Sequence, residues 1–101
     1  MKLLNTLLAA LLLATSTVSL AADALAEANK KIVLAFYDAA LVKRDVDAAV
    51  QYLGSKYIQH NPVAPDGVDG VKGLIKFLKE KFPNRTSDIK RVVAEGDLVV
   101  L

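Results

Sequence analysis

Apolar positions along this chain recur with two different periods, and the switch between them marks out the elements. From Ala24 to Val42 the spacing is helical. Val33, Phe36, Tyr37, Ala40 and Leu41 follow one another at three and four residues and form a single stripe, with Asn29, Lys30, Lys31 and Asp38 largely outside it. Lys43 and Arg44 then stand where cations favour the carbonyl end of a helix dipole. Asp45 reads as the N-cap of a short second helix, Val46 to Leu53, with Gly54 as its left-handed stop. A third helix is expected from Val68 to Phe82. Its inner side is Val71, Leu74, Ile75, Leu78 and Phe82, its outer side Lys72, Lys76 and Lys79, and Pro83 ends it. Asp66 shapes the turn before this helix and Asp69 is its candidate cap. Gly70 and Gly73 cost ~1 kcal/mol each inside a helix relative to Ala, so they imply a late helix start or a close backbone approach.

The period falls to two in two places. Tyr57-Ile58-Gln59-His60-Asn61-Pro62 alternates as a short strand would, with Tyr57, Gln59 and Asn61 on one face and Ile58 and His60 on the other. Ile89 to Ala94 and Leu98 to Leu101 read as a hairpin about Glu95-Gly96-Asp97, with Gly96 free to take a positive φ. Helices followed by an antiparallel hairpin make the expected class α+β.

The amino-terminal end has another character. Lys2 precedes an eight-residue apolar run, Leu7 to Ala14, a polar stretch and Ser19-Leu20-Ala21. Positive start, apolar core and small residues at −3 and −1 are the order of a secretory signal, so residues 1–21 are expected to be cleaved after Ala21 and the protein to be periplasmic or secreted. An apolar core of eight residues falls far short of the ~20 a membrane span requires, so no membrane attachment is expected once the signal is removed. Residues 22–101 form the expected domain. Taking Lys2 away leaves 12 Lys+Arg against 11 Asp+Glu over 80 residues, a balance that points to neither nucleic acid nor an anionic surface. The apolar ending Leu98-Val99-Val100-Leu101 suggests a domain of which only the front part is present.

His60 is the only histidine, and an imidazole is the side chain best suited to proton transfer near neutral pH. In a pocket it can move a proton or polarise a carbonyl oxygen as charge develops there. It can equally be a structural histidine bonded to a backbone carbonyl ahead of Pro62. Asn61 can donate its amide to a ligand or simply form the turn before proline, and Tyr57 can offer its hydroxyl at a cavity rim or pack in the core. Metal binding is not expected. The sequence has one histidine and no cysteine, and Asp66-Gly67-Val68-Asp69-Gly70 lacks the alternating ligands and closing glutamate of a calcium loop. Asn84-Arg85-Thr86 fits a glycosylation sequon, a pattern short enough to arise by chance.

Two helices, then Tyr57-Ile58-Gln59-His60-Asn61-Pro62, Asp66-Gly67-Val68-Asp69-Gly70, a helix ending at Phe82-Pro83 and the run Ile89 to Val100 about Ala94-Glu95-Gly96-Asp97 together resemble the SnoaL-like polyketide cyclase family. That family belongs to the nuclear transport factor 2-like superfamily, and the similarity runs from about Ala28 to Leu101. It implies a cone of helices packed on a curved antiparallel sheet around an apolar cavity, with His60 at that cavity and Tyr57 and Asn61 as substrate-binding candidates. It further implies a small apolar, carbonyl-containing ligand and cofactor-free proton transfer such as aldol condensation, cyclisation or isomerisation. A non-catalytic binding or interaction module, including a homodimer through the sheet, is the other outcome it allows. The acid/base carboxylate of the characterised cyclases comes from later strands and has no counterpart here.

Overall fold

The computed structural model describes the backbone of residues 2–101 and the side chains from residue 17 onward. The apolar core of the expected signal, Leu7 to Ala14, therefore lies outside the described side chains. Helix α1 spans Lys2–Tyr37, longer at its start than the periodic stretch from Ala24. It is followed by a π-helical turn Asp38–Lys43, α2 Val46–Val50, α3 Gly67–Lys81 and the strands β1 Val93–Glu95 and β2 Leu98–Val100. The class is α+β, as expected. Among the described residues, no helix is long and apolar enough to cross a membrane.

The chain divides into two compact units. One joins the chain up to Lys30 with Val92–Leu101. Its sheet is a single antiparallel pair, with Val93 opposite Val100, Ala94 opposite Val99 and Glu95 opposite Leu98. Gly96 turns the chain at φ 58°, which a residue without a Cβ adopts at little cost. Its carbonyl accepts from Asn29 Nδ2 at 3.2 Å, which ties the turn to α1. The first strand is shorter than Ile89 to Ala94 would allow, because a strand extends only as far as a neighbour pairs with it.

The other unit, Lys31–Arg91, holds the helical core. Ala39, Ala40, Ala49, Val71 and Ile75 are buried together, with Phe36, Leu41, Val46, Ala48, Leu53 and Tyr57 packed around them. Three alanines among five core residues let the π-helical turn, α2 and α3 approach closely. Asp45 caps α2 as its residue type predicts, accepting from the Ala48 N–H at 3.0 Å. Gly54 does not stop that helix in a left-handed conformation. The helix closes earlier, at Val50, through bonds from the Tyr52 and Leu53 N–H groups to the Ala49 and Val50 carbonyls. Asp69 is not the cap of α3 either: Asp66 holds that position, while Asp69 lies in the first turn. Phe82 leaves the expected inner stripe and meets Phe77 edge-on, their centroids 6.0 Å apart.

Left-handed backbone occurs instead at Arg44, with φ 54° and ψ 41°. Its N–H and that of Asp45 both return to the Ala39 carbonyl. Two consecutive cations at this helix end then separate. Lys43 stays in solvent and pairs with Asp38 at 2.6 Å; the hydrogen bond and charge of that carboxylate raise the lysine pKa. Arg44 turns inward until only 8% of it is exposed, donating Nη1 to the Pro83 carbonyl and Nη2 to the Arg85 carbonyl, each at 2.8 Å. Replacing Arg44 with Ala should lower unfolding free energy by about 2–3 kcal/mol in urea titration, the scale of a charge-assisted hydrogen bond. Arg44→Lys should recover less than half of that loss, since one ammonium cannot span both carbonyls as a planar fork does.

Candidate functional site

Tyr57 to Pro62 is not a strand: Tyr57 to His60 pairs with no neighbouring strand, and Asn61 and Pro62 lie in a bend and a turn. A strand needs a neighbour for its backbone groups, and here the following turn supplies the partners instead. The Tyr57 carbonyl accepts from the Gly67 N–H at 3.0 Å, and the Gln59 N–H donates to Asp66 Oδ1 at 2.6 Å. These two bonds close an eleven-residue loop at its neck. Within it the Asn61 N–H donates to Gln59 Oε1, the Val63 N–H to Asn61 Oδ1 and the Ala64 N–H to the Asn61 carbonyl. Gln59 Nε2 reaches the Tyr57 hydroxyl at 3.3 Å.

The alternation read from the sequence holds from Tyr57 to His60 and is lost at Asn61, which is exposed where Tyr57 and Gln59 are not. Tyr57 and Gln59 are half-buried, whereas Ile58 and His60 are exposed. Tyr57 packs against the helical core, and Asn61 folds its side-chain oxygen back onto the turn. His60 makes no hydrogen bond among the described residues. The loop is thus fixed by Gln59, Asn61 and Asp66, and the imidazole is not one of its braces.

Beyond Pro62 the loop runs alongside the opening turns of α3. Val63 and Pro65 on one wall and Gly70, Gly73, Leu74 and Phe77 on the other enclose a cleft of about 410 Å³, with Asp69 as its one ionisable lining residue. The sequence reading identified neither this cleft nor Asp69 as part of a site. The glycines at 70 and 73 were its legible trace. A Cβ on Gly70 would lie 1.9 Å from the Pro65 carbonyl oxygen, the close backbone approach that a helical glycine implies. At Gly73 a Cβ would meet nothing within 4 Å and would enter open space. Gly70→Ala should therefore cost about 1–3 kcal/mol by forcing the loop off the helix. Gly73→Ala should stabilise by up to ~1 kcal/mol through helix propensity. Equilibrium unfolding of the two variants side by side checks the contrast.

A comparison with protein-family patterns matches the chain over residues 33–101 to the family described as SnoaL-like domain. No curated protein and no solved structure matches the chain. The matched span takes in the helical core from Val33, the braced loop with His60, α3 and the hairpin. With more than half of its length covered by that pattern, the chain belongs to the SnoaL-like domain family of the nuclear transport factor 2-like superfamily.

Proposed function

We propose that this protein is an exported small-molecule-binding domain of the SnoaL-like family, in which His60 meets a polar group of the ligand, with cofactor-free proton transfer as the activity to which the same residue is suited. The observation that carries this reading is the freedom of the imidazole. Gln59, Asn61 and Asp66 are engaged in the loop's own bonds, while His60 stands exposed on a segment held at both ends. A structural histidine would spend its ring nitrogens on the backbone; among the described residues those of His60 have no such partner, which supports a role towards a ligand.

Family membership supports a small apolar ligand with a carbonyl or comparable acceptor. Tyr57 and Asn61 belong to the proposal as the flanking positions of the same loop. Tyr57 holds its hydroxyl against Gln59, and Asn61 keeps its amide nitrogen outside the turn bond that its oxygen makes. Turnover requires more than a donor. The general base must be held towards the reacting carbon, and among the described residues no group orients His60 for that task. Recognition is accordingly the better supported half of the proposal.

His60→Ala should weaken binding of polycyclic ketones by about 1–3 kcal/mol in fluorescence titration while leaving the melting temperature unchanged. Destabilisation with unaltered affinity would return His60 to a structural role. His60→Gln separates binding from catalysis, since an amide can donate a hydrogen bond but cannot titrate. Turnover lost with affinity kept would establish the proton-transfer activity.

Export rests on the order of Lys2, the Leu7 to Ala14 run and Ser19-Leu20-Ala21. Mass spectrometry of protein from the cell envelope should find an amino terminus at Ala22. Recovery of only Met1-bearing protein from the cytoplasm would rule the proposal out.

A further inference from the structure

Helix α3 carries more apolar surface than its core packing uses. At 100° per residue, Val71, Ile75 and Leu78 point to one side, where the π-helical turn and α2 cover them. Gly70, Gly73, Leu74 and Phe77 point to a second side, rotated by roughly a third of a turn from the first. The lysines at 72, 76 and 79 occupy the remaining arc. A helix on a protein surface needs only one apolar stripe. The second one forms the floor of the cleft, and Phe77 remains 48% exposed there.

Three features give this cleft the properties of a ligand site. Its volume of about 410 Å³ falls within the range of small-molecule pockets. Its outer wall is held in place: the loop is closed by the bonds from Gly67 to Tyr57 and from Gln59 to Asp66, and pressed to the helix where Gly70 has no Cβ. Its one charge is uncommitted as well. Asp66 is engaged by the Gln59 N–H, whereas the Asp69 carboxylate makes no hydrogen bond or ion pair among the described residues and is exposed at the cleft.

The geometry points to the cleft between Val63–Pro65 and α3 as a binding site for a flat aromatic ring that carries an ammonium group, the ring lying along Gly73, Leu74 and Phe77 and the ammonium facing Asp69. An apolar floor open where Gly73 has no side chain accepts a flat ring, and Phe77 offers it an aromatic edge or face. A carboxylate as the sole ionisable group selects a cation over a neutral or anionic isostere. The site lacks His60 and is independent of the ketone binding proposed above.

The test uses the full chain with 2-naphthylmethylamine, its alcohol and 2-naphthylacetate as probes, followed by amide NMR titration and melting temperature. The amine should shift the resonances of Gly73, Leu74 and Phe77 and bind about two- to fivefold more tightly than the alcohol, the range of an ion pair open to water. The acetate should bind more weakly than either. Asp69→Asn should erase the preference for the amine but retain the ring's binding. Gly73→Leu should fill the open space and abolish binding of all three without lowering the melting temperature. His60→Ala should leave the amine's affinity as it was, which separates failure of this site from failure of the ketone reading. No shifts at these residues, equal affinity for amine and acetate, or binding that survives Gly73→Leu would each overturn the assignment. So would a change of oligomeric state caused by Gly73→Leu, because the cleft would then be an interface between copies.

Discussion

A buried guanidinium holds the helical unit together. Arg44 ends the π-helical turn, begins the approach to α2 and reaches the connection that leaves α3, all from one residue. Its position is costly on two counts. Left-handed backbone disfavours a residue with a Cβ by about 1–2 kcal/mol, and a charge is removed from water with no carboxylate pairing it among the described residues. Two charge-assisted hydrogen bonds, each about 1.5–3 kcal/mol, outweigh the first cost. The second is reduced because a guanidinium spreads its charge and is weakly hydrated. Apart from that fork, the one hydrogen bond of the Pro83–Arg85 segment among the described residues is the turn bond from the Arg85 N–H to the Phe82 carbonyl.

The same economy of small contacts appears between α3 and the loop before it. Gly70 removes a side chain so that the Pro65 carbonyl can lie against the helix, and Asp66 gives up its capping role to brace Gln59. A capping bond would have contributed ~1 kcal/mol to α3. Spent across the neck, that carboxylate fixes a loop instead of a helix end. The result is a rigid wall beside an apolar floor, with His60 projecting from the wall's other portion.

Much of this was legible in the sequence, and what was missed has a physical reason. The α+β class, the three helical stretches, the Asp45 cap, the Gly96 turn and the family all follow from periodicity and short-range chemistry, which the chain carries locally. Tyr57 to Pro62 kept its alternation only as far as His60 and formed no strand, because pairing depends on a neighbour that periodicity cannot supply. Arg44 was read, with Lys43, as a cation at the carbonyl end of a helix dipole. Nothing in its own residue type marks it out from Lys43, and its carbonyl partners lie 39 and 41 residues away. The cleft was half visible: two glycines in a helix announced a close approach, but only the fold shows that Gly70 makes it and Gly73 does not.

The contrast between His60 and Asp66 bears on what such a domain can do. Both stand on the same loop, and both are groups that catalysis employs. Asp66 is committed to a backbone N–H, so its carboxylate is a structural device whatever passes near it. Among the described residues the imidazole has no hydrogen-bond partner. A free group on a fixed segment is sufficient for recognition, which asks only that a donor be within reach of an acceptor when the ligand arrives. Proton transfer asks in addition that the base be held in one orientation towards one carbon, and that orientation comes from a partner on its second nitrogen. The loop fixes where His60 begins, and no partner among the described residues fixes the direction in which its ring points.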